Sequence, residues 1–463
     1  MKLMLGLLVS IHLCVSVSAQ QNLGIRNSNY AGIQGALLNP SSIADSKLKW
    51  DLNVFSIDEV FDNNFLYAPK SSLSFLGFRK IINGSIHEDL FDTHYNSSEP
   101  NKLYNVTFST EILGPSFFVK VAKKHEIGFT ISARGYANIN KISGSLAQNA
   151  FDYFLGKDLW NSDLHDRSAR IDAMSWLQYG FHYAKILYNS GKNELKGGLT
   201  FNYLQGSAAA YVKNTNINYR IVDSSNFIFT NTSVDYGRTD IKRYNDINNG
   251  HGIGADLGFT YVHHKSGIDS YLYRIGFSLI DLGSISFRKN AAAYHLQTDS
   301  ADFQNWHQLK FANNTQFDKT LSAVFYDGDS SKSLAGSHFS MGLPAAISVQ
   351  ADLNVWKSYF INLSIIKGFG HGDGQGVRRP DVYSLTPRYE TKWLEVSVPF
   401  SLLYYGNLRP RLGISARYRY FFIGGDAPGS LLKLNNLQGA DFYTGVHFFV
   451  LEKNSRTTKN QQL

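Results

Sequence analysis

Residues Ser175 to Val212 carry two long runs of alternating polarity, joined by the tight polar turn Tyr188-Asn189-Ser190-Gly191-Lys192-Asn193. Successive strand side chains point to opposite faces. In the first run Leu177, Tyr179, Phe181 and Tyr183 therefore share one face, and Gln178, Gly180, His182 and Ala184 the other. In the second, Leu195, Leu199, Phe201 and Tyr203 oppose Lys196, Gly198, Thr200 and Asn202. The pair reads as an antiparallel hairpin that is apolar on one side only. Each arm is about ten residues or longer, the length a tilted strand needs to cross a bilayer, whereas soluble strands run about five or six. An apolar face on lipid and a polar face on a lumen explain the pattern. A soluble sheet with one wet face is the alternative that this hairpin alone leaves open.

The pattern recurs along the chain. Trp50, Leu52 and Val54 oppose Asp51 and Asn53; further strands are expected near Ser72 to Phe78 and Tyr104 to Ile112. Phe117, Val119 and Val121 lead through Lys123-Lys124 to Ile127, Phe129, Ile131 and Ala133, with Arg134 on the polar face. Ile253 to Tyr261 and Tyr273 to Leu279 form another pair, after which the phase breaks at Asp281-Leu282-Gly283, as at a bulge. Ile347 to Val355, Tyr359 to Ile365, Tyr383 to Tyr389, Leu394 to Leu402, Leu412 to Tyr420 and Phe442 to Val450 complete the series. Connections alternate between short and long, the rhythm of outer-membrane barrels. About fifteen candidate crossings appear; single-chain bacterial barrels use an even number, which sets the expectation at fourteen, with twelve or sixteen open.

Other signals fit this reading. No run of about eighteen apolar residues follows the N-terminus, and mean hydropathy is slightly negative, so a membrane structure must be a barrel. Aromatic residues make up 14%, as expected where rings gird both interfaces. The formal charge of +8 is scattered through strands instead of clustered, which argues against nucleic acid. Residues 1–19 read as a secretory signal: Lys2, the apolar Leu3 to Val17, and Val17-Ser18-Ala19 before Gln20. The only cysteine, Cys14, lies in it, so processing removes thiolate and disulfide chemistry. Residues 20–47 lack alternation and centre on the compact turn Leu38-Asn39-Pro40-Ser41-Ser42-Ile43-Ala44-Asp45. A helix is expected from Ser145 to Leu155 over the barrel end. Asn216 to Asp223 and Phe227 to Tyr236 are expected to form a hairpin outside the membrane. Lys289 to Gly336 reads as a long polar section, Gly368 to Gly376 as a mobile loop and Lys453 to Leu463 as a polar tail.

The turn Leu38 to Asp45 resembles the Asn-Pro-Ala type motif that the long-chain fatty-acid transporter (FadL) superfamily carries in the hatch plugging its barrel; Ser41 stands where that motif has Ala. Phe277 to Ile285, Pro387 to Trp393 and Ile423 to Asp426 are similar to patterns of a poorly characterised family of Bacteroidota-type outer-membrane barrels. The resemblance spans nearly the whole mature chain. It implies a hatch held by Asn39, Pro40, Ser41 and Asp45, and relatives that include fatty-acid transporters and PorV-like barrels that assist type 9 secretion.

Chemistry is sparse. His182 and His447 sit on separate strands and His263-His264 near a turn, without a carboxylate or thiolate set for a metal. No Gly-x-Ser-x-Gly elbow precedes a helix. Neither enzyme activity nor a cofactor is expected. The polar faces carry Arg134, Lys196, Asp256, Arg274, Asp352, Arg388, Glu390, Glu395, Arg411 and Arg417. Charges of both signs in a confined lumen need partners or water, so ion pairing across the wall or with the hatch is the first expectation and a ligand filter the second.

The expected molecule is all-β: a monomeric transmembrane antiparallel barrel of about fourteen strands over residues 48–452, plugged by residues 20–47, in the outer membrane of a Gram-negative bacterium. Its expected partners are outer-membrane lipids and a small hydrophobic ligand that it passes or binds, with the bulge near Asp281 as a side opening. The other expected role is a non-transporting accessory barrel that anchors or recruits an envelope protein complex.

Overall fold

The computed structural model describes residues 22–44, 46–67, 94–95, 102–151, 159–240, 247–265, 271–305, 311–404, 408–425, 436 and 438–452. The expected strand at Ser72 to Phe78, the signal segment and the tail lie outside these residues. Two short helices, α1 (Leu23–Arg26) and α2 (Ile33–Ala36), precede the sheet, with a 3-10 turn at Pro40–Ile43.

The strands follow in sequence. The first are β1 (Leu48–Asn63), β2 (Leu103–Leu113 and Ser116–Ala122), β3 (His125–Ser143), β4 (Arg170–Asn189) and β5 (Asn193–Asp223). Next come β6 (Asn226–Thr239), β7 (Gly250–His264), β8 (Tyr271–Phe287), β9 (Ala291–Phe303) and β10 (Phe339–Gly342 and Ala346–Trp356). The last are β11 (Tyr359–Gly368), β12 (Asp381–Glu390), β13 (Leu394–Ser397 and Phe400–Tyr404), β14 (Leu408–Leu412 and Ile414–Tyr418), β15 (Phe421–Gly425) and β16 (Gly439–Leu451). All pairings in this sheet are antiparallel. The sheet closes because β16 pairs with β1, Asn53 facing His447, and β1 pairs in turn with β2. Without β6 and β9, which stand apart, the barrel has fourteen strands.

The β4–β5 hairpin shows why these residues form a wall. Tyr179 faces Tyr203 and Phe181 faces Phe201 across the ladder, so aromatic pairs reinforce the register. Phe181 and Phe201 are 55% and 53% exposed on the outside, while Gln178, His182, Thr200 and Asn202 are buried inside. Leu353, Ile361, Leu363, Leu385 and Leu402 continue the exposed apolar band around the barrel. Backbone groups in hydrocarbon must be satisfied internally, and a closed sheet is the strand solution to that requirement. The molecule is thus an outer-membrane barrel. Its short turns mark the periplasmic end and its long connections the outer end.

Beyond the outer rim, β5 continues past the membrane. It pairs with β7 as far as Gly206 and with β6 from Ala210 onward, and β6 pairs with β9. One reading of the sequence is corrected here. Lys289 to Gly336 is not a featureless polar section: it contains β9 and helix α4 (Asn314–Phe325), capped by Asn313, whose side chain accepts from the Gln316 N–H. Phe229 packs at a tilt against Phe325, and Tyr236 Oη donates to Asp318 (3.0 Å), fastening the helix to this sheet. The helix expected from Ser145 is α3, at Gly144–Phe151, with Ala147 packed against Phe65 and Tyr104.

A lipid-facing charge tests the membrane assignment. Leu363→Arg places a guanidinium in the apolar band and is expected to cost about 2–4 kcal/mol in unfolding from lipid vesicles. A cost near zero would mean that this face meets water.

Candidate functional site in the barrel lumen

The N-terminal segment lies inside the barrel and touches the wall on several sides. Leu23, Ile25, Ile33 and Ile43 are almost completely buried. Leu23 and Leu38 pack on Ile280, Ala346 and Ile366; Ile25 packs on Phe422 and Tyr443; Ile33 and Ile43 pack in a cluster with Phe118 and Phe449. Fully burying each such side chain is worth about 1.5–3 kcal/mol.

Polar contacts set its position. Asn39 caps the 3-10 turn, its Oδ1 accepting from the Ser41 N–H (3.0 Å) and Ser41 Oγ (2.7 Å). Its Nδ2 donates outward to Phe259 O (3.2 Å) and Gln350 Oε1 (3.1 Å). Ser41 Oγ also meets Thr260 Oγ1 at 2.7 Å, and Ser278 Oγ donates to Leu38 O at the same distance. Close approach requires glycines in the wall. A Cβ on Gly258 would stand 2.1 Å from Asn39 Oδ1, and one on Gly198 would stand 2.3 Å from the Pro40 carbonyl carbon. These two glycines face each other across β5 and β7 and form a flat seat for the turn. Asp45 lies outside the described residues.

Further contacts engage the expected lumenal charges. Glu390 accepts from the Asn29 N–H (3.0 Å) and Nδ2 (2.7 Å), and Glu395 accepts from Ser28 Oγ (2.6 Å). Arg388 bridges Glu390 (2.9 Å) and Asp352 (3.0 Å), Arg274 meets Asp352 (3.1 Å), and Arg417 meets Glu395 (3.2 Å). Arg411 pairs with Asp62 (2.8 Å), and Lys196 with Glu194 (3.3 Å). Asp256 accepts from Asn202 Nδ2 (2.9 Å). The structure therefore joins Arg274, Asp352, Arg388, Glu390, Glu395 and Arg417 around Ser28 and Asn29, and sets Arg411 and Lys196 in separate pairs. His182 is held between Thr130 and Thr200, and His447 by Asp51.

A second cluster crosses the lumen. Arg26 of the N-terminal segment meets Glu111 (2.7 Å), Glu111 meets Arg134 (3.5 Å), and Arg134 meets Asp281 (2.6 Å). Asp281 also pairs with Arg379. Sequence reading singled out neither Glu111 nor Arg379 as a site residue. Glu111 ends an alternating run, and Arg379 belongs to residues 369–380, the expected mobile loop and its continuation. That segment is instead folded into the lumen: the Gly376 N–H donates to Asp172 (3.2 Å), the Arg378 N–H donates to Asn138 (2.8 Å), and Val377 is buried. The only advance signal was its run of small residues ending in Arg378-Arg379.

At the same place the wall is interrupted. The β8–β10 ladder stops at Ile280 facing Ala346 and resumes at Ser284 facing Gly342. Asp281 and Gly283 have φ of +55° and +144°, and the Leu343 N–H donates to Gly283 O (3.0 Å) across the gap. Immediately inside, Trp176, Leu204, Ile285, Phe339, Met341 and Leu343 form a packed apolar collar, distinct from the apolar wall patches that receive the N-terminal segment.

Comparisons with known proteins give the following. The profile described as "Family of unknown function (DUF5723)" matches residues 40–426. No curated protein matches the chain. Among solved structures, the deltaS2 mutant of the TodX monoaromatic hydrocarbon channel is 9% identical, covering 92% of this chain and 95% of its own, with a TM-score of 0.46. A Pseudomonas aeruginosa FadL homologue is 8% identical over 94% and 98%, with a TM-score of 0.44. The Ralstonia pickettii toluene transporter TbuX is 10% identical over 90% and 94%, with a TM-score of 0.39.

Two substitutions test this arrangement. Gly258→Val should unseat the turn at Asn39 without opening the barrel. In an Ala36→Cys background, maleimide labelling should then accelerate about tenfold or more, equivalent to about 1.4 kcal/mol; unchanged labelling would show that the seat does not hold the segment. Asp281→Ala leaves Arg134 and Arg379 without their shared carboxylate, a loss of about 3–5 kcal/mol for a buried pair. Trypsin added outside should then cleave after Arg378, since the bond after Arg379 is protected by Pro380, and continued protection would mean that other contacts fasten residues 369–380.

Proposed function

The chain belongs to DUF5723, a family of unknown function, and from that footing we propose that it is an outer-membrane barrel that passes small apolar ligands. The observation carrying this reading is the break in the wall at Asp281–Gly283, directly outside the apolar collar. A bulge kinks a strand and ends its pairing locally, and strained positive-φ residues such as Asp281 concentrate where a structure has a task. An apolar solute in the bilayer would meet Leu343 first, then Ile285 and Met341, before any charged side chain. Asp281, tied behind the break to Arg134 and Arg379, is the latch, and the N-terminal segment closes the route to the periplasm. Asn39, Pro40 and Ser41 hold that segment on its glycine seat.

A second reading has its own support. The outer part of β5, paired with β6, and β6 with β9 and α4 extend the sheet beyond the outer rim. Such a platform suits an accessory barrel that recruits an envelope protein.

Entry of the apolar dye N-phenylnaphthylamine into intact cells separates the two. Transport predicts slower entry in a deletion strain, recovery with the native gene, and faster entry with Gly258→Val. Equal entry in all strains, with a partner retained through the β6–β9 platform, would falsify transport and leave the accessory role.

A further inference from the structure

Below the N-terminal segment, at the short-turn end, lies a cavity of about 1000 Å³. Its acidic lining residues are Asp352 and Glu452, against Lys47, Lys120, Lys123, Lys124 and Lys196, together with Arg26, Arg274 and His264. Part of this charge is matched. Lys120 meets Glu452 (2.7 Å), Lys196 meets Glu194 (3.3 Å), Arg274 meets Asp352 (3.1 Å) and Arg26 meets Glu111 (2.7 Å). Lys47 reaches Glu390 only at 4.0 Å, and Glu390 already holds Arg388 at 2.9 Å. Lys123 and Lys124 form the exposed turn between β2 and β3 and make no ion pair among the described residues. The mouth is therefore left with a positive excess.

Deeper in the cavity stands an unused donor. Asn362 is 1% exposed, and its Nδ2 has no hydrogen-bond partner among the described residues. The amide is oriented by its neighbours: Asn27 Nδ2 donates to Ser364 Oγ (3.0 Å), and Ser364 Oγ donates to Asn362 Oδ1 (2.7 Å). A buried donor left unmatched costs about 1–3 kcal/mol, so an acceptor arriving there is favoured.

We propose that this cavity is a docking site for an acidic peptide segment of a periplasmic protein. The cations come from the approach to β1, from the β2–β3 turn and from β5, so one small anion touches few of them, whereas side-chain carboxylates along an extended peptide meet several. Membrane lipid is placed elsewhere: it meets the outer face, where Lys357 lies over Trp356 and Lys392 over Trp393. The chain's own last residues do not qualify, because Lys453 to Leu463 contains Lys453, Arg456 and Lys459 and no carboxylate side chain. The site stands whether or not the barrel conducts, so its test and that of transport fail separately.

The test is fluorescence anisotropy with the purified mature barrel in neutral detergent and a labelled glutamate-rich peptide, beside its glutamine counterpart. Saturable binding of the acidic peptide alone is expected. It should weaken as ionic strength rises from about 0.01 M to 0.15 M, which shortens the screening length from about 30 Å to 8 Å. The double variant Lys123→Glu/Lys124→Glu should lose about tenfold or more in affinity, equivalent to about 1.4 kcal/mol. Lys357→Glu/Lys392→Glu, on the lipid side of the same rim, should bind as the native barrel does. Heat-modifiable migration checks that both variants are folded, and Lys47→Gln supplies a milder change should the first fail to assemble. No saturable binding, equal loss in both double variants, or full displacement by inorganic phosphate or by phosphatidylglycerol vesicles at matched charge would each overturn the proposal. The last two would assign the site to a small anion or to lipid.

Discussion

The seam between β1 and β16 is the contact on which the rest of the molecule depends. An open sheet in hydrocarbon would leave two rows of N–H and C=O groups unmatched, at several kcal/mol each. Closing the ladder removes both rows at once. Asp51 and His447 lie on these two strands and bond at 2.7 Å in the interior, and the other oxygen of Asp51 accepts from the Ile33 N–H of α2 (2.9 Å). Gly32 makes this approach possible. Its φ is +62°, and a Cβ there would fall 2.3 Å from the Asp51 carboxylate. One carboxylate thus binds the closing strands to the segment they enclose.

Enclosure then dictates the chemistry of the lumen. Strand alternation that turns Leu and Phe toward lipid turns every second residue inward, and outside the collar and the apolar patches under residues 22–44 those residues are largely polar or charged. Such groups must be matched where water is scarce. Across the lumen they are matched by one another and by residues 22–44, so each of these polar contacts to the segment is one that water could also satisfy. The net worth of each such bond is about 0.5–1.5 kcal/mol because water competes for it. The apolar anchors Leu23, Ile25, Ile33 and Ile43 have no such substitute, and they set the larger part of the resistance to withdrawal.

Much of this could be read from the chain, for a definite reason. A wall with unlike solvents on its two faces imposes a period of two on every crossing, so Leu177 to Tyr183 or Ile347 to Val355 declare themselves without any tertiary knowledge. The same rule explains the failures. β9 and α4 lie beyond the membrane, face water on much of their surface and carry no lipid-facing side; Ala291-Ala292-Ala293 offers no alternation to detect. Charge partners are hidden in another way: Arg134 is evident on a polar face, but Asp281 and Arg379 lie far along the chain on other elements. Only the barrel's register, and the inward fold of residues 369–380, bring them together. Asn39 to Ser41 could be singled out from the turn chemistry of Asn-Pro-Ser, whereas the glycines that seat it gave no local signal.

Polarity along the barrel axis bears on what the lumen can hold. At the break in the wall the interior is apolar; at the N-terminal segment it is a lattice of ion pairs; at the periplasmic mouth it carries excess positive charge. A water-filled pore for ions or sugars has no use for the collar of Trp176, Leu204, Phe339 and Met341, because exposing such surface to water costs about 25 cal/mol per Å². A strand that only seals the wall does not require the left-handed backbone of Asp281, where φ is +55°. The two features lie side by side, joined through Leu343, which is buried in the collar and bonds Gly283 across the gap. Replacing Leu343 inside the collar by an apolar solute from the membrane would exchange one greasy contact for another, leaving the single hydrogen bond to Gly283 and the ion pairs of Asp281 as the resistance to opening.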